Sequence, residues 1–247
     1  MEDAKLTVRA VERALDILLC FTEETDLGLT ELAMRVGLHK STVHRLLASL
    51  EGKGFVIRDQ ATEKYRLGFR VWELSANLSH SDDLATVLLP EMERLRDVIG
   101  ETVSLYVRDG HERIRIQAVQ SQQAIRRVAP VGARLPLYVG ASSKILAAYA
   151  GSEFEEDWRA NGVWPDGFDI GMFLSQLADI RRQGYATSIE EREQGAAAVA
   201  APILNREGGL VAALSVSGPA SRLTAVKMKE HAAMIMEAAA RMGKMAR

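Results

Sequence analysis

Short hydrogen-bond donors and cations cluster over a few positions in the N-terminal third of the chain: Lys40, Ser41, Thr42, His44 and Arg45. At the start of a helix, such groups contact the phosphates and base edges of duplex DNA. Thr30, which begins the preceding segment, is a further candidate for the same surface. These residue types in this order predict a surface that binds duplex DNA.

The elements that must position these side chains are two helices joined by a glycine turn, over residues 29–47. Ala33 stands where the first helix approaches the second, and Gly37 takes a tight turn that a side chain would disfavour. The apolar positions recur at helical spacing; they are Leu32, Val36, Leu38, Val43 and Leu46. An ordinary helical hairpin is the alternative, but the small, glycine and apolar positions together are typical of a helix-turn-helix.

Two short β-prone runs follow, residues 55–58 and 64–67, around a polar segment. They predict a hairpin, and a hairpin behind a recognition helix is a wing. Arg58, Lys64 and Arg66 are candidates for contacts with the DNA backbone or minor groove. The alternative is a solvated edge that happens to be basic.

The charge of the chain is unevenly distributed. The net charge is −2 at pH 7, yet residues 34–70 carry eight Lys or Arg against three acidic residues, and residues 1–33 carry three against eight. A phosphate backbone responds to the local charge. The distribution therefore agrees with a DNA-binding surface, although the net charge alone argues against one.

Length and composition indicate an ordinary globular protein with room for two domains. The chain has 247 residues, 47% hydrophobic and 26% charged, and no apolar run approaches the roughly 20 residues of a membrane span. The N-terminus lacks the features of a secretion signal, so we expect a cytoplasmic protein without a membrane partner. The single cysteine, Cys20, excludes an internal disulfide framework, and its apolar neighbours predict a buried core thiol.

Apolar periodicity predicts the remaining elements. A first helix covers residues 8–22, with Val11, Leu15, Leu18 and Leu19 as one apolar stripe. A linker helix covers residues 69–78 and is broken by the polar residues 79–83, the best domain boundary in the chain. Beyond it we expect helices and strands in this order: a helix over 84–100, strands over 102–109 and 114–118, helices over 142–150 and 173–183, strands over 197–203 and 210–217, and a helix from 224 onward. The order predicts an α+β fold with an antiparallel sheet.

Catalytic patterns are mostly absent. The sequence has no glycine-rich phosphate loop, nucleophile elbow or paired histidine motif, and its five histidines lack ligand-like spacing. We therefore expect neither a metal site nor a cofactor. The acidic run at residues 190–193 suggests either general acid–base chemistry or, more simply, a solvated segment.

Three segments of small or hydroxyl residues favour a pocket. Residues 140–144 begin a helix whose free N–H groups either hold a carboxylate or phosphate or are capped by a serine. Ser215 and Ser217 share one face of a strand, pointing into a cleft or bonding nearby backbone. Residues 195–201 carry small side chains that leave room for a ligand or for a packed helix.

The chain as a whole resembles the IclR family of bacterial transcriptional regulators. The N-terminal segments that carry the resemblance are residues 11–18, 38–47, 54–56 and 65–68. The C-terminal segments are residues 100–103, 134–137, 184–186, 200–203 and 215–219. Matches at both ends, in the same order, are more specific than matches at either end alone.

The resemblance implies a winged helix-turn-helix domain (1–68), a linker helix (69–82) and a GAF-like effector domain with an antiparallel sheet flanked by helices (83–247). It also implies a homodimer or a dimer of dimers. By position, the effector pocket is lined by Gly140, Ala141, Ser142, Ser188, Ala196, Ala198, Ser215 and Ser217. Ser188 and Ala198 replace an acidic residue and a cysteine of some relatives that bind small organic acids, and residues 137–140 replace the commoner Leu-His-Ala-Thr. The position of the pocket therefore carries over, and its ligand does not.

The leading hypothesis is a transcriptional regulator whose binding to operator DNA is modulated by a small organic metabolite. One alternative is a DNA-binding regulator whose C-terminal domain only oligomerises. Another is an enzyme with an appended DNA-binding domain, using Ser142 or Ser143 as nucleophile and Lys144 as base, although no third orienting group is apparent.

Overall fold

The computed structural model describes residues 7–78, 84–126 and 130–246. The chain divides into two compact units, Met1–Ser81 and Asp82–Arg247. The polar segment that was expected to separate the domains, residues 79–83, lies outside the described residues. The domain and linker limits given above therefore stay predictions.

The first unit is a winged helix-turn-helix. Its elements are α1 (Arg9–Cys20), α2 (Leu29–Arg35), α3 (Lys40–Gly52), β1 (Val56–Arg58), β2 (Tyr65–Leu67) and α4 (Phe69–Leu78). The side chains of Ile17, Leu32, Val43 and Leu47 are fully buried in one core. Strands β1 and β2 pair antiparallel, as the predicted hairpin requires. The helix-turn-helix, the hairpin and the helix over residues 69–78 are confirmed.

The turn between α2 and α3 has the predicted geometry. Gly37 has a φ of 63°, in the left-handed region that glycine adopts without steric cost. Ala33 is 6% exposed, and its carbonyl accepts a hydrogen bond from Leu38 N at 3.0 Å. The small residue and the glycine thus bring the two helices close together and set the direction of α3.

Helix α1 differs from the expectation in the face that it buries. Ile17 and Phe21 are buried, whereas Val11, Leu15 and Leu19 are more than half exposed. Of the predicted stripe only Leu18 packs partly against the core. Cys20 packs against the core, as predicted, but it is only half-buried. Its Sγ donates to Asp16 O at 3.3 Å, and partial burial raises its pKa.

The second unit is built on an antiparallel sheet. Its strands are β3 (Thr102–Asp109), β4 (Glu112–Val119), β5 (Arg134–Pro136), β6 (Ala186–Ile189), β7 (Ala196–Leu204) and β8 (Leu210–Pro219). Among the described residues they form one six-stranded sheet in the order β5-β4-β3-β8-β7-β6. Its helices are α5 (Leu84–Val87), α6 (Leu89–Ile99), α7 (Ala141–Ala148), α8 (Ser152–Asn161), α9 (Ile170–Gln183) and α10 (Ala225–Met245). The α+β prediction, an antiparallel sheet flanked by helices, is confirmed.

Both faces of this sheet are covered, because successive side chains of a strand point to opposite sides. Val199 and Val216 pack with α6 and α10 in one core, where Ile235 is fully buried. Ala200 and Tyr106 pack with α7, α8 and α9 in the other core. Ala196, Ala198 and Ala200 of β7 and the serines of β8 lie on the α7 side, and this arrangement positions the cavity described below.

Several elements of the second unit were not predicted. The single helix expected over 84–100 is two helices, because Pro90 is the second residue of α6 and proline is favoured in the first helical turn. Strands β5 and β6 are short sheet edges, and α8 is a largely polar helix. Within the described ranges, no helix is long and apolar enough to span a membrane.

Candidate functional site

Helix α3 presents the predicted DNA-binding residues on its outer side. Lys40, Ser41, His44 and Arg45 are exposed, Thr42 is half-buried, and Thr30 is exposed at the start of α2. Lys40 and His44, like Ser41 and Arg45, are four residues apart, so these four side chains share one helical face. Val43 and Leu47 hold the opposite face in the core.

One residue that the sequence analysis left out, His39, fixes the start of α3. Its Nδ1 accepts a hydrogen bond from Ser41 N at 3.3 Å and lies 2.8 Å from Ser41 Oγ. Such a cap satisfies an otherwise free amide of the first helical turn. His39 therefore determines where the recognition face begins and orients the Ser41 hydroxyl.

The three cations of the wing differ in their surroundings. Arg58 is ion-paired with Glu63, and Lys64 Nζ lies 3.5 Å from Asp26 Oδ1. Arg66 is exposed, and no ion pair between it and another described residue is present. Of the three, Arg66 is thus the least engaged by the protein itself.

The tip of the hairpin is shaped by Asp59. Its Oδ1 accepts hydrogen bonds from Thr62 N (2.8 Å) and Ala61 N (2.9 Å). These bonds stabilise the ionised carboxylate, so they lower the pKa of Asp59 from its ordinary value.

All eight residues of the predicted effector pocket line one cavity of about 50 Å³ on the α7 side of the sheet. They come from the start of α7, from β6, from β7 and from β8: Gly140, Ala141, Ser142, Ser188, Ala196, Ala198, Ser215 and Ser217. The pairing of Ala198 with Ser217 and of Ala200 with Ser215 aligns small residues beside hydroxyls. The structure brings the predicted residues together, while their role in binding stays a prediction.

A buried arginine that the sequence analysis missed also lines this cavity. Arg113, on β4, is 5% exposed, and its Nη1 donates to Ser142 Oγ (2.9 Å) and to Ser143 Oγ (2.7 Å). Gly140 precedes α7 with φ 97° and ψ 154°, and a Cβ there would lie 3.0 Å from Nη1. The glycine therefore lets the guanidinium approach the start of α7.

Two further side chains distinguish the cavity. Ser217 Oγ is buried and has no hydrogen-bond partner among the described residues. Glu191, from the acidic run after β6, accepts a hydrogen bond from Gly140 N at 3.0 Å and is ion-paired with Lys144. Residues 190–193 are all exposed, as expected for a solvated segment, but the carboxylate of Glu191 is held against α7.

The fold and these two sites define a class of protein, a DNA-binding regulator with a buried polar cavity in a second unit. Residues 10–60 match the family model of the IclR helix-turn-helix domain, and residues 76–243 match that of the bacterial transcriptional regulator IclR C-terminal domain. The chain belongs to the IclR family, whose members are DNA-binding transcriptional regulators with an effector-binding C-terminal domain. The resemblance seen in the sequence is confirmed.

Relatives and solved structures agree over nearly the whole chain. HTH-type transcriptional regulator XynR of Escherichia coli K12 is 34% identical over 223 residues, 87% of this chain and 88% of that protein. KdgR of the same strain is 30% identical over 243 residues, 94% and 90% of the two chains. An IclR homolog from Microbacterium hydrocarbonoxydans complexed with 4-hydroxybenzoate has a TM-score of 0.83 at 29% identity, covering 96% of this chain and 99% of that one.

Proposed function

We propose that α3 is the recognition helix and that Lys40, Ser41, His44 and Arg45 contact operator DNA. The four side chains share an exposed face, while the core holds the opposite face rigidly. Thr42, half-buried on α3, and Thr30, exposed on α2, are further candidate contacts. From the wing we propose Arg66 as the main contact with the DNA backbone, because acidic neighbours already engage Arg58 and Lys64.

The test is a DNA titration with full-length protein, on a duplex selected from a random pool by the wild type. Arg45→Ala should weaken binding by about 1–3 kcal/mol if the guanidinium contacts a guanine. The charge-matched control is Arg159→Ala, which removes an exposed arginine of α8. Unchanged affinity and sequence preference in Arg45→Ala would exclude this residue from the interface.

We propose that the cavity beside α7 binds the effector. The observation that carries this proposal is the convergence of four separate segments on one cavity. The cavity also contains buried Arg113 and Ser217 Oγ, which has no hydrogen-bond partner among the described residues. Hydroxyls, helix N–H groups and a cation suit a small organic acid. The solved relative that holds 4-hydroxybenzoate, itself an organic acid, supports the same class of ligand.

Thermal-shift screening of the full-length protein against organic acids and neutral metabolites tests the effector site. A ligand that stabilises the protein should also change the affinity of the protein for DNA. Ser217→Ala should weaken the binding of that ligand by about 0.5–1.5 kcal/mol. Ser221→Ala, at an exposed position, is the control. If no ligand stabilises the protein and Ser217→Ala leaves DNA binding unchanged, the hypothesis of a C-terminal domain that only oligomerises is favoured.

We propose a homodimer that forms through apolar side chains of the first unit. Phe69 and Trp72 of α4 are 75% and 71% exposed, and Leu15 and Leu19 of α1 are more than half exposed. Exposed apolar residues in such number mark an interface. A second copy is the expected partner, because two recognition helices in successive major grooves require a two-fold dimer.

Sedimentation of Leu15→Lys and Trp72→Lys should show monomers where the wild type sediments as a dimer. Met34→Lys is the control, since Met34 is 71% exposed on α2. Dimers that survive both substitutions would refute this interface. Sedimentation at higher concentration separates a dimer from a dimer of dimers.

We infer that the chain is not an enzyme. Lys144 Nζ donates to Thr187 O and pairs with Glu191, and the hydroxyls of Ser142 and Ser143 accept from Arg113. No described hydrogen bond joins Lys144 to either serine, so a serine–lysine pair is not assembled. Covalent labelling of either serine by a fluorophosphonate would overturn this inference.

A regulator of chromosomal genes acts in the cytoplasm, and we propose that location.

A further inference from the structure

The carboxylate of Glu191 occupies the amino end of α7. Its Oε2 accepts a hydrogen bond from Gly140 N at 3.0 Å, and its Oε1 is paired with Lys144 Nζ. Lys144 is 9% exposed and also donates to Thr187 O at 3.2 Å. Helix N–H groups beside a buried cation form an anion-binding position. In this protein a side chain of its own fills that position.

The cavity is too small for an organic effector unless part of its wall moves. Its volume is about 50 Å³, room for roughly three or four water molecules. Most of the wall belongs to paired strands and to α7, which backbone hydrogen bonds hold in place. Glu191 instead lies in the loop between β6 and β7, and any other carboxylate satisfies both of its partners equally well. Ser217 Oγ, buried in the same cavity and unpaired among the described residues, also points to a polar ligand.

Glu191 also lines a second, larger groove. Its volume is about 550 Å³, and Glu191 and Lys144 both line it. The remaining lining is largely apolar and aromatic, including Tyr138, Phe168 and Met172. The rings of Tyr138 and Phe168 lie 5.7 Å apart, edge to face. Glu191 thus lines both a polar cavity and a groove suited to an apolar group.

We propose that Glu191 is an internal carboxylate that keeps the effector cavity closed, and that the effector is an organic acid with an apolar or aromatic body. The carboxylate of the effector replaces that of Glu191 at Gly140 N and Lys144, and its body lies in the aromatic groove. This inference rests on the proposed function of the cavity. It adds the apolar or aromatic body of the ligand and the group that the ligand must displace.

Lys144 makes this exchange selective for anions. When a carboxylate displaces Glu191, the buried ammonium group keeps a counter-charge. When a neutral amide of the same shape displaces it, Lys144 is left buried without one, which is strongly unfavourable. We therefore expect acids to bind about 100-fold more tightly than their amides.

Chemical rescue of Glu191→Ala in the full-length protein tests the proposal. Acetate should raise the thermal midpoint of this variant relative to chloride at equal ionic strength, and acetamide should not. The half-saturating acetate concentration should be at least about 10-fold lower than in the wild type, where the internal carboxylate competes. Glu190→Ala is the control, because it removes a carboxylate of the same loop, one that accepts from Gly195 N, and retains the Glu191 carboxylate.

Phenylacetate tests the groove. It should bind Glu191→Ala about 10-fold more tightly than acetate does, since its ring buries apolar surface, and Phe168→Ala should remove this gain. If Glu191→Ala does not fold, Glu191→Asp shortens the side chain by one methylene and serves as the second variant. Equal acetate responses in wild type and variant, or equal stabilisation by acetamide, would overturn the proposal.

DNA titrations of the same samples separate this inference from the proposed function. Stabilisation by acetate and phenylacetate without any change in DNA affinity would uphold the Glu191 site and refute its coupling to DNA. Acids that change DNA affinity but bind wild type and Glu191→Ala equally would uphold effector control and refute the role of Glu191.

Discussion

Gly140→Ala tests the geometry at the start of α7, where the backbone and Arg113 meet. The glycine has φ 97° and ψ 154°, a conformation that residues with a side chain rarely adopt, at a cost of roughly 1–3 kcal/mol. A Cβ would lie 3.0 Å from Arg113 Nη1 and 3.2 Å from Nη2. The guanidinium must then retreat by a few tenths of an ångström, which weakens its bonds to Ser142 and Ser143. That weakening adds about 1 kcal/mol.

The chain offers a matched control for the backbone contribution alone. Gly151 precedes α8 with φ 91° and ψ 164°, and no atom of the described residues lies within 4 Å of the Cβ that alanine would add there. Gly151→Ala should therefore show the conformational cost without the collision. The difference between the two variants, about 1 kcal/mol, isolates the contact with Arg113.

The assay is urea unfolding followed by tryptophan fluorescence. The chain has three tryptophans, and a Trp72→Phe background leaves Trp158 and Trp164 to report on the second unit. Gly140→Ala should lower the free energy of unfolding by roughly 2–4 kcal/mol. If it costs no more than Gly151→Ala, Arg113 is not held against Gly140. If neither variant loses stability, the backbone conformation described for both glycines is wrong.

Three further predictions concern other parts of the molecule. Leu47→Ala should lower the free energy of unfolding of the first unit by about 2–5 kcal/mol, because Leu47 is fully buried. Circular dichroism during urea unfolding measures this loss. Met34→Ala, at an exposed position, is the control and should cost less than about 0.5 kcal/mol. An NMR titration should give Asp59 a pKa below its ordinary value of about 3.9. The ionised carboxylate should therefore stabilise the hairpin fully above this ordinary value, and the stabilisation should be lost as the pH falls through the lowered pKa. An ordinary or raised value would contradict the turn geometry. Glu101→Gln should cost about 2 kcal/mol in urea unfolding, because Glu101, 8% exposed, accepts from Arg222 Nε at 2.6 Å; an unchanged midpoint would show that the pair contributes nothing.

The first unit could be predicted closely because its signals are local. The positions of Ala33, Gly37 and the apolar residues are constrained within a few helical turns, and the structure places each of them as expected. The error at α1 has a physical cause. Val11, Leu15 and Leu19 do form a stripe, but periodicity shows only that a face is apolar, not whether the chain's own core or a second copy covers it.

The second unit was predicted less completely because its order depends on contacts distant in sequence. Strands β5 and β6 have three and four residues, too few for an alternating pattern to identify them. Arg113 and Arg115 alternate with apolar residues along β4, a pattern typical of a solvated strand face, and yet both are buried. The eight cavity residues were found by position within the family pattern. Nothing in the sequence distinguished Glu191 from its acidic neighbours.

The loop that holds Glu191 also offers a physical route from the cavity to the rest of the second unit. Gly195 O, at the end of this loop, accepts a hydrogen bond from Ala220 N at 2.8 Å, and Ala220 lies just before Thr224, which caps α10. Displacement of Glu191 therefore acts on a loop that is hydrogen-bonded to the segment before α10. Such a link shifts DNA binding only if the effector binds one arrangement of this segment more tightly than another, with couplings typically of about 1–3 kcal/mol. Because the Glu191 carboxylate competes for the same position, the effector's affinity depends on how much more strongly its contacts bind than those of Glu191. A substitution that weakens the contacts of Glu191 should therefore raise the sensitivity of DNA binding to the effector without altering the recognition helix.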